Sequence, residues 1–176
     1  MSSTKWTIDP AHSEIQFKVK HLVISTVTGS FQHFTGEAVT DGDSFDQAEI
    51  KVSIETKSVD TNNEQRDGHL NSPDFFDTAK FPVLNIKTSS VKQKGEDLKI
   101  VADFTIRDVT KSIELEGEFG GIAKDGYGNV KAGLEVTGTL NRKDFGLNWN
   151  AVIEGGGLTV SEKVKVIAHL QFVKQA

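Results

Sequence analysis

Cysteine is absent from this sequence, and its absence excludes disulfides, thiolate nucleophiles and every cysteine-based zinc or iron–sulfur site. Clustered positive charge is missing as well. With 20 basic and 25 acidic residues the formal net charge is -5, and no run of Lys or Arg supplies the footprint that a nucleic-acid backbone or an anionic membrane surface requires. Long hydrophobic runs are also lacking: none approaches the length of a membrane-spanning helix, and Met-Ser-Ser-Thr-Lys-Trp has no apolar core of a secretory signal. These absences lead to the expectation of a soluble cytoplasmic protein with no nucleic-acid partner and no integral membrane segment. At 176 residues without a visible linker, residues 1–176 are expected to form a single domain.

What the chain does have is alternation. Ile15, Phe17 and Val19 alternate with Glu14, Gln16, Lys18 and Lys20; Ile50, Val52 and Ile54 alternate with Glu49, Lys51, Ser53 and Glu55. Near the end, Val164, Val166, Ala168, Leu170 and Phe172 do the same. A period of two belongs to strands with one dry and one wet face. Further strands carry Leu84, Ile86 and Val91, then Leu98 to Ile106, Ile113 to Phe119, and Ala132 to Leu140, while Phe31, Phe34 and Ala38 read as one run. Turns fall at Asp41-Gly42-Asp43, Gly95-Glu96 and the glycine-rich stretch before Asn129.

One segment, around residues 62–78, departs from this period and reads as a short helical insertion. Ser72-Pro73-Asp74 has the order of an N-cap, a first-turn proline and an acid that suits the helix dipole, which predicts a helix starting there with Phe75 and Phe76 packed inward. The last connection, 141–158, reads as a structured loop over a barrel end. An all-β fold of about eight antiparallel strands is best satisfied by closing the sheet into a barrel, which removes both edges; an open sandwich is the alternative.

The interior of such a barrel is either packed or hollow. Small residues at Ala38, Thr88, Ala102, Gly117, Ala132, Gly138 and Ala168 fall on inward positions, as a tunnel would require. The competing reading is that Phe75 and Phe76 plug it. Candidate chemistry is sparse: the five histidines show no metal-ligand spacing, and no metal or cofactor is expected. Asp9, His12 and Ser13 contain the residue types of a hydrolytic triad, but the Gly-x-Ser-x-Gly elbow is missing. Arg66, His69, Arg142 and Asp144 lie in the two longest connections beside aromatic residues. There they would serve either a polar ligand head or loop-pinning salt bridges.

Several stretches resemble the bacterial YceI-like family. They are Asp9-Pro10-Ala11-His12-Ser13 with Ile15-Gln16-Phe17, Gly29-Ser30-Phe31 with Phe34-Thr35-Gly36, the run Arg66 to Asp77, Phe81-Pro82, Asp108-Val109-Thr110-Lys111, and Asn141-Arg142-Lys143-Asp144-Phe145-Gly146-Leu147. The family's usual Gly-Val-Thr is Asp108-Val109-Thr110 here, and the secretory signal of many relatives is not seen. The resemblance implies a lipocalin-like eight-stranded antiparallel barrel, often a homodimer, that holds a polyisoprenoid or other long-chain lipid and is linked to transport, storage or stress responses. On that footing the tail is expected against Phe17, Val19, Phe31, Phe34, Ile54, Phe75, Phe76, Phe104, Leu140, Phe145 and Trp149. The head is expected near Arg66, His69, Arg142 and Asp144, with no catalytic residue. The alternatives are an enzyme acting on the same lipid through His12, His69 or Asp144, and a plugged barrel serving as a protein-interaction module.

Overall fold

A computed structural model describes residues 3–22, 24–149 and 160–176. The strands are β1 (Ser3–Ile8), β2 (Glu14–His21), β3 (Ser25–Phe31), β4 (Phe34–Asp41), β5 (Ser44–Glu55), β6 (Val59–Asp60), β7 (Val83–Lys94), β8 (Asp97–Ile106), β9 (Val109–Lys124), β10 (Val130–Asn141) and β11 (Lys163–Lys174), with one helix, α1 (Glu64–Asn71), after β6. Strands β1, β4, β5, β7, β8, β9, β10 and β11 follow one another around the sheet, and β1 pairs with β11 to complete an antiparallel eight-stranded barrel. That closing pair decides for the barrel and against the open sandwich.

The Asp9-Pro10 break sets the remaining topology. Proline cannot donate to a ladder, and Asp9 accepts from the Ala11 amide, so a single 3-10 turn at Pro10–His12 separates β1 from β2. Both strands then share β11 as partner: Ile8 lies opposite Phe172 and Ile15 opposite Ala168. The neighbouring chain must break in the same way. Phe31 and Phe34, expected in one strand, belong to two: β3 pairs with β2, whereas β4 pairs with β1 and β5. Alternation shows which face a residue takes and carries no information about which neighbour it pairs with, so the crossover is invisible in the sequence.

The helix also starts elsewhere than expected. Asn63 is its N-cap, accepting from the Arg66 amide at 3.0 Å, with Glu64 and Asp67 in the first turn; Ser72 is its C-cap, and the Ser72 hydroxyl donates to the His69 carbonyl. Asn63 and Ser72 are both capping residue types, and residues 73–76 follow the helix as turns. The insertion lies where the sequence placed it, while Ser72, expected to open the helix, closes it.

The connections sort to two ends. At one end 42–43, 95–96 and 125–129 are tight turns; at the other lie α1 and the chain between β10 and β11. The tight-turn end is solid. Trp6, Phe45 and Phe172 are fully buried, with Phe45 centred 5.4 Å from Trp6, 5.4 Å from Phe119 and 5.9 Å from Phe172. Small partners make room for them, Ala38 opposite Trp6 and Ala132 opposite Phe172. Burying each such side chain contributes about 1.5–3 kcal/mol.

Candidate functional site

The other half of the barrel is hollow. Inward residues of the same strands line a cavity of about 670 Å³, inside the size range of small-molecule sites. The lining ends at one level: Ile50 on β5, Thr88 on β7, Ile100 on β8, Val136 on β10 and Leu170 on β11 line it, and the next inward residues, Ala48, Val91, Leu98, Leu134 and Phe172, are buried in the aromatic layer below. The cavity is therefore blind, with a floor made by the plug. The interior is thus part packed and part hollow, but the packing comes from Trp6, Phe45 and Phe172 at the tight-turn end and not, as the plugged reading expected, from Phe75 and Phe76.

Its walls come from alternating positions, which is why they are apolar. Phe17, Val19, Phe31, Ile54, Phe75, Phe76, Phe104, Leu140 and Trp149 all line it, as do Arg66, His69 and Arg142. Phe75 and Phe76 sit at the mouth beside the helix without filling the interior, Phe76 meeting Phe31 edge to face at 5.8 Å. Sequence reasoning did not assign Ile15, Val27, Val52, Ile86, Val164 and Val166 to the site, although their alternation was legible, nor Gln16, Lys20, His21, Thr61, Asn63 and Gln65 among the polar lining.

Three expected site residues do not line the cavity. Phe34 lies in the packed core opposite Ile54, and it is Ile54 that faces the void. Phe145 is 1% exposed and belongs to the 3-10 turn Arg142–Phe145, where side-chain direction does not follow strand alternation. Asp144, in the same turn, is exposed, so it neither reaches the cavity nor pairs with Arg142. Of the small inward residues, Thr88, Ala102 and Ala168 line the void, whereas Gly138 is covered: a Cβ there would collide with Leu115 Cδ2.

The polar groups at the mouth are built from α1 and the chain after β10. Arg66 donates through Nε to the Thr61 hydroxyl at 2.7 Å and through a terminal nitrogen to the Thr61 carbonyl at 2.6 Å, while Asp67 accepts from the Thr61 amide and hydroxyl. His69 is clasped edge-on by Phe75 and Trp149, at 5.0 and 4.7 Å, and its Nε2 lies 2.9 Å from Asp74 Oδ2. Arg142 is buried and donates to the carbonyl oxygens of Leu147 (2.7 Å), Trp149 (2.8 Å), Ser161 (2.8 Å) and Val160 (3.2 Å). Burial pushes its pKa down, Glu162 opposes that shift, and Glu162 itself is hydrogen-bonded to Lys143 at 2.8 Å. Residues 150–158 of the expected loop lie outside the described residues.

The triad residue types do not assemble. His12 Nδ1 meets Asp9 Oδ2 at 2.7 Å, but the Ser13 hydroxyl accepts from the Gln171 amide of the neighbouring strand β11 at 2.9 Å. None of the three lines the cavity. Among the described residues no group of three or more His, Asp or Glu gathers as a metal-ligand set.

A closed antiparallel barrel, solid at one end and hollow with a polar-rimmed mouth at the other, is the class of β-barrel able to enclose a small apolar molecule. The model of the YceI-like domain matches residues 6–172, and the chain belongs to that family. A UPF0312 protein of Staphylococcus aureus strain N315 is 38% identical over 170 residues, covering 96% of this chain and 97% of the relative. The Campylobacter jejuni YceI protein superposes with a TM-score of 0.78 at 30% identity, over 89% of this chain and 90% of that one. A polyisoprenoid-binding domain from Saccharophagus degradans, implicated in plant cell wall breakdown, shares the fold with a TM-score of 0.72 at 19% identity, over 97% of this chain and 98% of its own. Among the described residues no helix is long and apolar enough to cross a membrane.

Proposed function

We propose that this protein binds, carries or stores a polyisoprenoid or related long-chain amphiphilic lipid and does not transform it. One observation carries the reading: apart from Thr88, the deep part of the cavity is walled by aliphatic and aromatic side chains, while the polar side chains of α1 gather at its mouth. Such a distribution matches a molecule with a long apolar tail and one polar end. The polyisoprenoid-binding domain of Saccharophagus degradans shares the fold, which agrees with this ligand class. In this reading the head lies near Arg66 and His69, within reach of Arg142. The family resemblance adds a homodimer, which light scattering at micromolar concentration tests.

The enzyme reading is weaker on one observation: of its three candidate acids and bases only His69 lines the cavity, while His12 and Asp144 do not. The deciding experiment is mass spectrometry of an organic extract of the purified protein, with protein denatured and washed before extraction as the control. A stoichiometric long-chain lipid supports the carrier. Its absence, together with no uptake of added lipid, rejects it.

A further inference from the structure

We infer that the cavity measures the tail of its ligand, with Ala102 and Ile100 as length-determining side chains, so that it selects amphiphiles with tails up to a set length. The inference rests on the lipid reading and goes beyond it by stating where the tail must stop. On β5, β7, β8, β10 and β11 the inward residue beyond the last lining one is buried and no longer borders the void, and Phe45 and Phe172, both fully buried, close the same end of the barrel. Ile100 stands at that level on β8. Ala102, one inward position nearer the mouth, is fully buried and lies across from Thr88 on β7. A tail reaching this depth meets side chains packed at interior density and cannot displace them without overpacking.

The wall has one weak place at the same depth. The β5–β7 ladder ends at Lys51 and Lys87; beyond it the Thr88 hydroxyl substitutes for backbone pairing, accepting from the Ile50 amide at 2.9 Å and donating to the Ala48 carbonyl at 3.3 Å. Thr88 lines both the internal cavity and a polar cleft on the outer surface. That seam is shut by hydrogen bonds, so a tail is held inside; a tail that left through it would escape the length limit.

The test is competition binding of a homologous series of straight-chain primary alcohols, which share one head and differ by single carbons. In the wild type each added carbon raises affinity about fourfold while it is buried, and affinity stops rising at one chain length. Ala102→Leu adds three side-chain carbons above the floor and moves that break to tails about three carbons shorter; Ile100→Ala removes three and moves it to longer tails by about the same amount. Short members bind all three proteins alike. The inference is overturned if the break stays fixed in a folded variant, or if affinity keeps rising with length, which would mark passage through the Thr88 seam. Should Ala102→Leu not fold, Ile100→Ala decides alone. If the wild type binds no member of the series, the lipid reading itself fails and the length limit with it.

Discussion

The ring of Phe17 occupies the space that a side chain at Gly29 would need. The two residues face each other across β2 and β3, and a Cβ on Gly29 would collide with Phe17 Cζ and stand only 2.6 Å from its Cε1. Glycine lets a wall aromatic fold onto the neighbouring backbone and leave the cavity open. Gly29→Ala should therefore lower stability by about 1–3 kcal/mol and turn the Phe17 ring out of its place in the wall. Gly133, where an added Cβ would meet nothing within 4 Å, is the control. Urea unfolding of Gly29→Ala and Gly133→Ala checks this: a similar loss in both would show that the effect comes from backbone freedom and not from the Phe17 contact.

Arg142 and Arg66 separate a structural cation from a ligand-facing one. The Arg142 guanidinium holds buried carbonyls of the chain between β10 and β11, so Arg142→Ala should cost at least about 1–3 kcal/mol, and Arg142→Lys should not restore it, because one ammonium cannot span that fork. Arg66 is exposed, and its side chain is hydrogen-bonded only to Thr61 among the described residues. Arg66→Ala should change stability by less than about 1 kcal/mol while weakening an amphiphile with an anionic head. Calorimetry and binding on both variants read the two effects apart. Equal destabilisation by the two would remove the distinction.

The solid and hollow halves should respond differently to truncation. Phe45 is surrounded on all sides by Trp6, Phe119 and Phe172, so Phe45→Ala leaves a void and should cost about 3–5 kcal/mol. Phe76 already borders empty space and is partly exposed, so Phe76→Ala should cost clearly less. Comparable shifts in denaturant midpoint would mean that the cavity collapses around its walls.

Acid should destabilise the fold through three carboxylates held below their ordinary pKa. The hydrogen bond with His12 lowers Asp9, the amide of Asn129 lowers Asp125, and the hydrogen bond with Lys143 lowers Glu162. A lowered carboxylate stabilises the folded state fully above its unfolded pKa, and that contribution is lost as pH falls through the folded value. Stability should thus begin to fall as pH drops below the ordinary values of 4.5 for Glu162 and 3.8 for the aspartates. Denaturant titrations across this window should show a shallower decline for Asp9→Asn. A stability that rises on acidification would contradict the sign.

The period of two in β5, β8 and β11 determined that the chain forms strands with one apolar face, because alternation is a property of neighbouring residues and needs no tertiary context. It also assigned most of the cavity wall, since Phe17, Ile54, Phe104 and Leu140 take the inward face in any closed sheet of that phase. The mouth residues Arg66, His69 and Arg142 were legible as charged or polar groups in long connections. Their roles were not. Only the tertiary structure showed that Arg142 spends donors on carbonyls distant in sequence, that Asp144 two residues away is exposed, and that Phe145 turns into the core. The division of the barrel into a plugged and a hollow half was decided at the same level. It depends on which large residues meet which small ones across strands, Trp6 over Ala38 and Phe172 over Ala132 below the floor but Thr88 beside Ala102 above it, and the sequence specifies such pairs only through a register that the Asp9-Pro10 break and the closing of β1 on β11 impose.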